Sequence, residues 1–372
     1  MVKKLILEKL KLINFRNYRK LSLKFSPKIN IIVGNNGVGK TNILEAIYIL
    51  ALSKSFKLGS DFDVVNFNQK KTIIKGEIKE NKIPKTLSCE IEENSKKIAL
   101  NNNHVKKTSN YIGNLKVVLF TPDDINIIKG SPSERRKYLN IALSQNDREY
   151  LVANNEYNKL LKIRNDYLRK MQYNSLTDKK YLDVITANLI KRAVIIYKKR
   201  NNFIREINNY LKDIYLKIAK HDNLFLSYIP NIDINNFFEE DVKEKLIKQF
   251  KENFSKELKL GLTLYGPHRD DLSFILENKN LKLYGSEGEQ KLAIISLKLS
   301  EIENLKEKNI SPILLLDDLF SDLDNIRKQK LIEFINKDGQ VIITGNDLRS
   351  ISKKIIKDAK IFKIKNNEIL EK

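Results

Sequence analysis

Alternating apolar and charged positions open the chain and predict β-strands over residues 3–33. The alternation changes register between Leu7 and Leu10, and a turn is expected at 14–19. A short apolar run at 29–33 then leads directly into a glycine-rich loop, as a buried strand does. Further strand-like runs lie at 72–78, 86–91 and 116–120.

A long helical block follows in the middle of the chain. Ser131, Pro132 and Glu134 predict its start, because they supply a capping-box serine, a proline at the first helical position and a glutamate at the third. One face then repeats every three or four residues, mostly with apolar side chains, at Tyr150, Asn154, Tyr157, Leu161, Arg164, Leu168 and Met171. Similar spacing resumes at 182–203 after a polar break. The pattern fits either an antiparallel helical hairpin or an ordinary helical domain.

From Leu262 onward the chain again alternates strands and helices, so we expect the helical block to be an insertion within one α/β domain. On this interpretation, residues 1–121 form the N-terminal part of the α/β lobe and residues 261–372 its C-terminal part. Residues 122–260 form a helical lobe between them.

The composition is that of a folded protein without membrane spans. Of its 372 residues, 41% are apolar and 31% are charged, which suits a packed core. No apolar run approaches the ~20 residues that span a bilayer, and the longest candidate, at 43–52, contains Glu45 and suits a buried helix. The single cysteine, Cys89, excludes an intrachain disulfide and cysteine-cluster metal sites. We therefore expect a cytoplasmic protein with no membrane partner.

The net charge of +23 admits two interpretations. Such an excess of positive charge suits a polyanionic partner, usually a nucleic acid. The chain is also rich in Lys, Asn and Ile and poor in Arg, which indicates a general compositional preference. Charge alone leaves these two explanations equally open.

The strongest motif for chemistry is a P-loop, G-x-x-x-x-G-K-[ST], between a predicted strand and a predicted helix. Its residues are Gly34, Asn35, Asn36, Gly37, Val38, Gly39, Lys40 and Thr41. Glycines let backbone N–H groups close around phosphates, and the helix N-terminus adds a favourable dipole. We expect Lys40 to reach the β- and γ-phosphates of a nucleotide and the Thr41 hydroxyl to bind Mg²⁺.

A second motif places two carboxylates at the end of a buried strand. The run at 313–316 is wholly apolar and is followed by Asp317 and Asp318. Asp317 is the candidate ligand of Mg²⁺. Asp318 lies where a base that orients an attacking water belongs, so Asp318 and Lys40 are the candidate catalytic residues.

A third motif, S-x-G-x-Q, precedes these aspartates. Its residues Ser286, Gly288 and Gln290 stand before a long amphipathic helix that is predicted to begin near Lys291. A serine hydroxyl and glycine N–H groups at a helix N-terminus suit a γ-phosphate. The three residues are therefore candidates for nucleotide binding.

Together these motifs resemble the ABC-type ATPases of the SMC and RecF class, in which the S-x-G-x-Q segment is the signature and residues 321–324 match the D-loop. The run at 14–18 is a further match. The resemblance narrows to the RecF family of bacterial DNA replication and repair proteins at residues 119–140, 266–272 and 315–324.

The resemblance implies an architecture and a mechanism. The fold is an α/β P-loop ATPase head of the ABC type, lobe I, with an inserted α-helical lobe II that carries a short antiparallel hairpin. The implied cofactors are ATP and Mg²⁺, and ATP is expected to join two copies into a homodimer because each signature would contact the ATP of the other copy. The implied partners are DNA with single-strand gaps or junctions, RecR and RecO. Weak ATPase activity is expected, and Asn346, in the place of a switch histidine, is compatible with slow hydrolysis.

Several alternatives stay open at this stage. The nucleotide-binding subunit of an ABC transporter would need a membrane partner, and a small-molecule P-loop kinase would have no use for a signature. Arg135 and Arg136 are either functional or solvated surface residues. Arg16 either contacts the phosphates of ATP or simply lies at the tip of a β-hairpin. His268 has no evident metal partner and is expected to be a core histidine with satisfied hydrogen bonds.

Overall fold

The computed structural model describes residues 3–57, 59–173, 178–219, 223–234, 236–319, 339–351, 353–365 and 368–371. The chain divides into two compact units. Residues 1–124 and 295–372 form the first, which we call the split unit. Residues 125–294 form the second, which we call the inserted unit.

The secondary structure alternates between strands and helices. The strands are β1 (Lys3–Phe15), β2 (Tyr18–Lys24), β3 (Ile29–Val33), β4 (Lys71–Glu80), β5 (Ile83–Glu92), β6 (Ser95–Leu100), β7 (Asn103–His104), β8 (Val117–Phe120), β9 (Leu224–Ile229), β10 (Asp271–Leu276), β11 (Lys279–Asn280), β12 (Ile310–Ser311), β13 (Ile313–Leu316), β14 (Val341–Gly345), β15 (Ala359–Lys365) and β16 (Glu368–Glu371). The α-helices are α1 (Lys40–Leu52), α2 (Asn126–Lys129), α3 (Pro132–Asn146), α4 (Arg148–Tyr173), α5 (Lys179–Ala219), α6 (Glu239–Glu252), α7 (Phe254–Leu260), α8 (Leu281–Tyr284), α9 (Glu287–Glu307) and α10 (Lys353–Lys357). In the described parts of the chain, no helix has the length and hydropathy needed to cross a membrane.

A mostly parallel sheet forms one layer of the split unit. Its strand order is β16-β15-β3-β14-β13-β8, and only the pairing of β16 with β15 is antiparallel. Every residue of β3, β8, β13 and β14 is buried, which explains the predominantly apolar runs in the sequence. Since β3, β14 and β13 are adjacent and parallel, the segments that follow them meet at one edge of this sheet.

The other sheet of the split unit is mostly antiparallel, with the order β12-β1-β4-β5-β6-β7 and with β2 also paired to β1. The predicted change of register in β1 is confirmed, because its pairing with β4 shifts between Leu7 and Lys9. Leu7 and Leu10 are both fully buried. An irregularity between them brings both side chains to the same face of the sheet. The sequence pattern does not predict β6, whose first half is polar.

Helix α1 contacts strands of both sheets, including β4, β5, β8 and β14. All of its residues except Thr41 and Asn42 are buried. A helix that packs between two layers needs apolar residues on every side. The interpretation of residues 43–52 as a buried helix is therefore confirmed, and Glu45 is a fully buried carboxylate within it.

In the inserted unit, α4 and α5 form the predicted antiparallel hairpin. Partners along the two helices run in opposite directions: Glu156 contacts Arg192, Arg164 contacts Thr186, and Tyr167 contacts Tyr181. The helical block begins with α3 at the predicted proline, Pro132. The predicted capping box is not formed, because the Ser131 hydroxyl pairs with Ser133 Oγ at 2.6 Å instead of a backbone N–H.

A small antiparallel sheet with the order β11-β10-β9 also belongs to the inserted unit. Strand β10 pairs with β9 along its whole length, from Asp271 opposite Ile229 to Leu276 opposite Leu224. Residues 261–294 fall in the inserted unit, whereas the sequence analysis expects them in the α/β lobe. Along the chain, the division between the two units falls within α9, between residues 294 and 295.

Candidate nucleotide-binding site

The P-loop connects β3 to α1 through two glycines with left-handed backbone. The φ angle is 82° at Gly37 and 99° at Gly39, values that residues with a Cβ rarely adopt. A Cβ at Gly39 would lie 2.5 Å from Asn17 Nδ2 and 2.8 Å from the Tyr18 hydroxyl oxygen. A Cβ at Gly37 would meet no described heavy atom within 4 Å. The loop is therefore packed tightly at Gly39 and open at Gly37, where the backbone can approach a ligand.

Lys40 lies along the inside of this loop. Its Nζ atom donates hydrogen bonds to the carbonyl oxygens of Gly34, at 2.7 Å, and Asn35, at 2.9 Å. A third hydrogen bond, of 3.1 Å, reaches Asn346 Oδ1 beyond the end of β14. Burial lowers the pKa of Lys40, and the charges of the two aspartates after β13 oppose that effect. The ammonium group is thus held by three neutral acceptors, a position from which it can contact a phosphate oxygen.

Asp317 receives hydrogen bonds from the ends of two neighbouring elements. Its Oδ1 atom accepts one from Thr41 Oγ1 at 2.9 Å and one from Thr344 Oγ1 at 2.7 Å. The backbone N–H of Asp317 donates to the carbonyl oxygen of Phe120 at 2.9 Å. The parallel pairing of the strands therefore brings the P-loop threonine and the aspartate after β13 together, as the two motifs predict.

Asp318 has an unusual backbone conformation, with a φ angle of 48°. Left-handed backbone at a residue other than glycine costs about 1 kcal/mol or more, and such strain is common at functional sites. The backbone N–H of Asp318 donates to Thr344 Oγ1 at 3.1 Å, which supports the turn. Asp318 lines the same cavity as the P-loop, and this cavity has a volume of about 380 Å³. The residues that line it are Asn36, Gly37, Gly39, Lys40, Thr41, Asn42, Lys57, Asp317 and Asp318.

The donor set at this cavity suits Mg²⁺. The Asp317 carboxylate and the Thr41 hydroxyl supply oxygen ligands, and their oxygens lie 2.9 Å apart. Mg²⁺ prefers oxygen and usually binds through one or two protein ligands, several waters and the phosphates of a substrate. These two residues therefore fit the predicted metal site.

Two residues at this edge were not among the predicted ligands, namely Thr344 and the buried Glu45 of α1. Thr344 lies one residue before the end of the buried strand β14, next to β13, so its place in the parallel sheet is the signal that could have identified it. Glu45 accepts hydrogen bonds from Arg16 Nε at 3.0 Å and Nη2 at 2.6 Å, and from Ser55 Oγ at 2.6 Å. Arg16 is therefore committed to a structural ion pair in this structure.

The S-x-G-x-Q segment lies at the N-terminus of α9, which begins at Glu287 and not near Lys291. The reason is a capping box that the sequence analysis missed. Ser286 Oγ donates to Glu289 Oε2 at 2.8 Å, and the same oxygen accepts from the Ser286 backbone N–H at 2.7 Å. A Cβ at Gly288 would meet no described heavy atom within 4 Å, so this helix start is open.

Gln290 differs from its neighbours in the segment because it is buried. Its Nε2 atom donates to the carbonyl oxygens of Leu281, at 2.9 Å, and Gly285, at 3.2 Å. These contacts tie the connection between α8 and α9 to the first turn of α9. Gln290 therefore shapes the segment, and its contact with a nucleotide stays a prediction. The predicted D-loop, at 321–324, lies outside the described residues.

Arg135 and Arg136 are not simply solvated surface residues. Arg135 is buried and donates from Nε and Nη2 to the two carboxylate oxygens of Asp271, at 2.6 and 3.0 Å. Arg136 donates from Nη1 to the carbonyl oxygen of Asp270 at 2.7 Å. Both arginines on α3 are thus bound to the 266–272 segment, and two of the stretches that carry the family resemblance contact each other.

Asp270 is the centre of a buried polar network in the inserted unit. It accepts a hydrogen bond from Arg200 Nη1 at 2.7 Å, one from the Tyr228 hydroxyl and one from the Asn231 backbone N–H at 2.9 Å. Arg200 Nη1 also donates to the carbonyl oxygen of Pro267 at 2.6 Å. A buried ion pair needs such additional hydrogen bonds to offset its desolvation. The sequence analysis did not single out Arg200 or Tyr228, which lie in ordinary helical and strand patterns.

Both ring nitrogens of His268 have hydrogen-bond partners, as expected, although the residue is half-buried and not fully in the core. Its Nδ1 atom lies 2.6 Å from the Tyr157 hydroxyl, and its Nε2 atom lies 3.1 Å from the carbonyl oxygen of Thr263. Burial lowers the pKa of His268 to about 4, and the nearby arginines add to that effect. The ring is therefore neutral at physiological pH.

Comparison with known proteins places the chain in a family. The model of the RecF/RecN/SMC N-terminal domain matches residues 6–369. The DNA replication and repair protein RecF of Ligilactobacillus salivarius (strain UCC118) is 38% identical over 98% of this chain and 97% of that protein. RecF of Bacillus cereus (strain G9842) is 37% identical over 98% of each chain. The chain belongs to the RecF family.

Solved structures agree with this membership. A structure described as the recombination mediator protein RecF-ATP in the RecFOR pathway superposes with a TM-score of 0.92 at 30% identity, over 100% of this chain and 99% of that chain. An SMC head bound to the C-terminal winged-helix domain of ScpA gives a TM-score of 0.56 at 16% identity, over 99% and 97% of the two chains, which shows a shared fold. The predicted ABC-type head with an inserted helical lobe is confirmed, and the transporter alternative is not favoured.

Proposed function

We propose that this RecF-family protein is an ATP-switched DNA-binding protein of DNA replication and recombinational repair. The observation that carries the proposal is the convergence on Asp317, where Thr41 and Thr344 donate to the same carboxylate oxygen. Beside it, Lys40 closes the inside of the P-loop. This edge of the sheet offers oxygen ligands for a cation together with an ammonium group for phosphates, the combination that binding of ATP with Mg²⁺ requires.

Each residue at this edge has a proposed part in the reaction. The backbone N–H groups of residues 34–41 bind the phosphates, and Lys40 neutralises charge on the β- and γ-phosphates. Thr41 and Asp317 would hold Mg²⁺, which supplies charge neutralisation at the phosphate oxygens. Asp318 orients the attacking water and accepts its proton. Asn346 offers a neutral hydrogen-bonding group that does not titrate, which supports slow hydrolysis.

Dimerisation is proposed to occur through the start of α9. Ser286 is exposed, and the space around Gly288 is open. Free N–H groups at a helix N-terminus bind anions readily. Ser286 and Gly288 would therefore contact the γ-phosphate of ATP held by a second copy of this chain. Buried Gln290 would hold the segment in place through its hydrogen bonds to Leu281 and Gly285.

The proposed partners follow from charge and family. A net charge of +23 suits the phosphate backbone of DNA, and binding to a backbone depends little on sequence. Gapped DNA and single-strand/double-strand junctions are the proposed targets, with RecR and RecO as protein partners. The description of the solved RecF as a recombination mediator in the RecFOR pathway supports this part of the proposal.

One experiment tests the switch and the DNA interaction together. Light scattering after gel filtration should give the mass of a monomer without nucleotide and of a dimer with ATP, and gapped DNA should favour the dimer. DNA affinity should be higher with ATP than with ADP and should fall steeply as salt rises. If the molar mass does not change with ATP, and if DNA binding is absent or independent of salt, the proposal is refuted.

A further inference from the structure

A small polar cavity lies within the inserted unit, where two stretches of family resemblance meet the helical hairpin. Its volume is about 130 Å³, and its lining includes Arg136, Asn140, Asn154, Asn158, Arg200 and His268. The first two residues belong to α3 and His268 to the 266–272 segment. The other three project from α4 and α5. None of these residues has a part in the nucleotide site proposed above.

The carboxylates beside this cavity are already paired with arginines other than Arg136. Asp270 pairs with Arg200 at 2.7 Å, and Asp271 pairs with Arg135 at 2.6 Å. Among the described residues, no carboxylate oxygen lies within 4.0 Å of the Arg136 guanidinium. Arg136 makes one hydrogen bond, from Nη1 to a carbonyl oxygen, so the remaining edge of its guanidinium can bind a ligand.

The charges around the cavity sum to a positive value. Burial lowers the pKa of Arg136, and the positive charge of Arg200 adds to that effect, while the charges of Asp271 and Asp270 oppose it. Exposed Arg269 also acts on Arg136 and forms no ion pair with a described residue. His268 contributes no charge, because its pKa is lowered to about 4. Two cationic groups, Arg136 and Arg269, are therefore left without a carboxylate partner beside the two ion pairs Arg200–Asp270 and Arg135–Asp271.

Amide groups supply further hydrogen-bond donors. Asn140 Oδ1 accepts from the Tyr150 hydroxyl at 2.6 Å and from Arg200 Nη2 at 3.1 Å, so its amide nitrogen remains to donate elsewhere. The side chains of Asn154 and Asn158 form no hydrogen bond with another described residue. Each can present its NH₂ group to a bound anion.

We propose that this cavity binds a phosphate group. A tetrahedral oxyanion has several acceptor oxygens, and the cavity surrounds its space with an arginine edge and asparagine amides. Charge-assisted hydrogen bonds of this kind are about twice as strong as neutral ones. The phosphate is either a free anion or a group carried at the end of a nucleic-acid strand, and the chemistry of recognition is the same. The site needs neither ATP nor the dimer, so it goes beyond the proposed function.

The first test measures the melting temperature of the full chain against inorganic phosphate, at ionic strength held constant with chloride. It uses the Lys40→Met background, because the P-loop is itself a phosphate site. Phosphate should raise the melting temperature in a saturable manner. Arg136→Gln should weaken the apparent affinity about 10- to 100-fold, since a charge-assisted contact is lost. Arg205→Gln, which removes the same charge from an exposed position on α5, should leave the affinity unchanged.

A second pair of variants keeps the test decisive if Arg136→Gln does not fold. Asn158→Asp places a like charge at the cavity and should weaken phosphate binding about tenfold or more. Asn155→Asp makes the same change at an exposed neighbour on α4 that does not line the cavity. Equal phosphate affinities for Asn158→Asp and Asn155→Asp would overturn the proposal.

Oligonucleotides with and without a terminal 5′-phosphate distinguish the two sources of the group. If the phosphate is carried by a strand, the phosphorylated oligonucleotide should bind more tightly than its unphosphorylated form, and Asn158→Asp should remove that advantage. If the ligand is the free anion, Asn158→Asp should weaken the binding of inorganic phosphate and leave the binding of both oligonucleotides unchanged. Either result supports a phosphate site. An Asn158→Asp variant that matches Asn155→Asp with all three probes would contradict it.

Discussion

Lys40 Nζ and Asn346 Oδ1 are joined by a hydrogen bond of 3.1 Å, which links the P-loop to the segment after β14. The acceptor is neutral, so it holds the ammonium group without cancelling its charge. Lys40 keeps that charge available for a phosphate, and the contact does not depend on the ionisation of its partner. We therefore expect the identity of residue 346 to influence how strongly the P-loop lysine attracts a nucleotide.

Asn346→Asp should lower the affinity for ATP by about tenfold or more, because a carboxylate at this distance both neutralises Lys40 and repels phosphate. Titration with a fluorescent ATP analogue measures the effect. Asn346→Ser retains a neutral acceptor and should stay within a few-fold of the wild type. Unchanged affinity in Asn346→Asp would mean that residue 346 does not act on the nucleotide through Lys40.

Asp318→Asn should reduce ATP turnover roughly 10²-fold or more, since the basic carboxylate is removed. Asparagine tolerates left-handed backbone, so the turn after β13 should be preserved. ATP should still bind, and the ATP-bound dimer should persist longer. Asp317→Asn is the contrasting variant, and it should weaken nucleotide binding because it alters the proposed Mg²⁺ ligand. Steady-state ATPase and binding assays on both variants separate the two roles, and normal turnover in Asp318→Asn would exclude it as the base.

Ser286→Arg should leave ATP binding to the monomer nearly intact and abolish ATP-driven dimerisation, because a bulky cation fills the proposed γ-phosphate contact. Lys40→Met should instead lose ATP binding. A mixture of these two variants should recover dimers and ATPase activity, since one intact P-loop can meet one intact signature. Light scattering and ATPase assays measure both effects.

Ser255→Arg, a matched change at an exposed position of α7, should dimerise like the wild type. Dimerisation of Ser286→Arg with ATP, at the affinity of the Ser255→Arg control, would rule out the start of α9 as the dimer contact.

Glu45 should make stability depend on pH on the acid side. Burial by itself would raise the pKa of Glu45, but hydrogen bonds from Arg16 and Ser55 outweigh it and lower the pKa below the usual value of 4.5. A carboxylate with a lowered pKa in the folded state stabilises above its unfolded pKa, and this stabilisation is lost as the pH falls through the folded pKa. Glu45→Gln should therefore reduce the free energy of unfolding at pH 7 by about 2 kcal/mol or more.

Urea denaturation at pH 7, and in steps below about pH 4.5, measures both the loss of stability and a shallower acid-side decline in Glu45→Gln. Glu8→Gln removes a carboxylate whose ion pair with Lys79 is well exposed. That control should change the free energy of unfolding by less than about 1 kcal/mol. A Glu45→Gln protein as stable as Glu8→Gln at pH 7 and at every acid pH tested would show that the buried ion pair contributes nothing.

Local patterns in the sequence predicted many of the strands and helices correctly. The P-loop lies between a buried strand and a buried helix as predicted, and the aspartates after β13 reach it because parallel strands end at the same edge. The change of register after Leu7 was also predicted from periodicity, whereas periodicity left the hairpin of α4 and α5 open beside an ordinary helical domain. The prediction of a capping box at Ser131 was wrong, and the capping box at Ser286 was not predicted. The choice between hydroxyl partners depends on side-chain geometry, which the sequence pattern does not specify.

The sequence by itself determined the motifs, because a P-loop or a buried strand consists of residues that are neighbours along the chain. Only the tertiary structure decided which distant residues complete each site. Thr344 joins Asp317 through the pairing of β14 with β13, and Arg200 meets Asp270 through the packing of α5. Strand β10 belongs with β9 and not with the parallel sheet. Such contacts depend on which surfaces bury each other, and the periodicity of a single segment does not specify its partner.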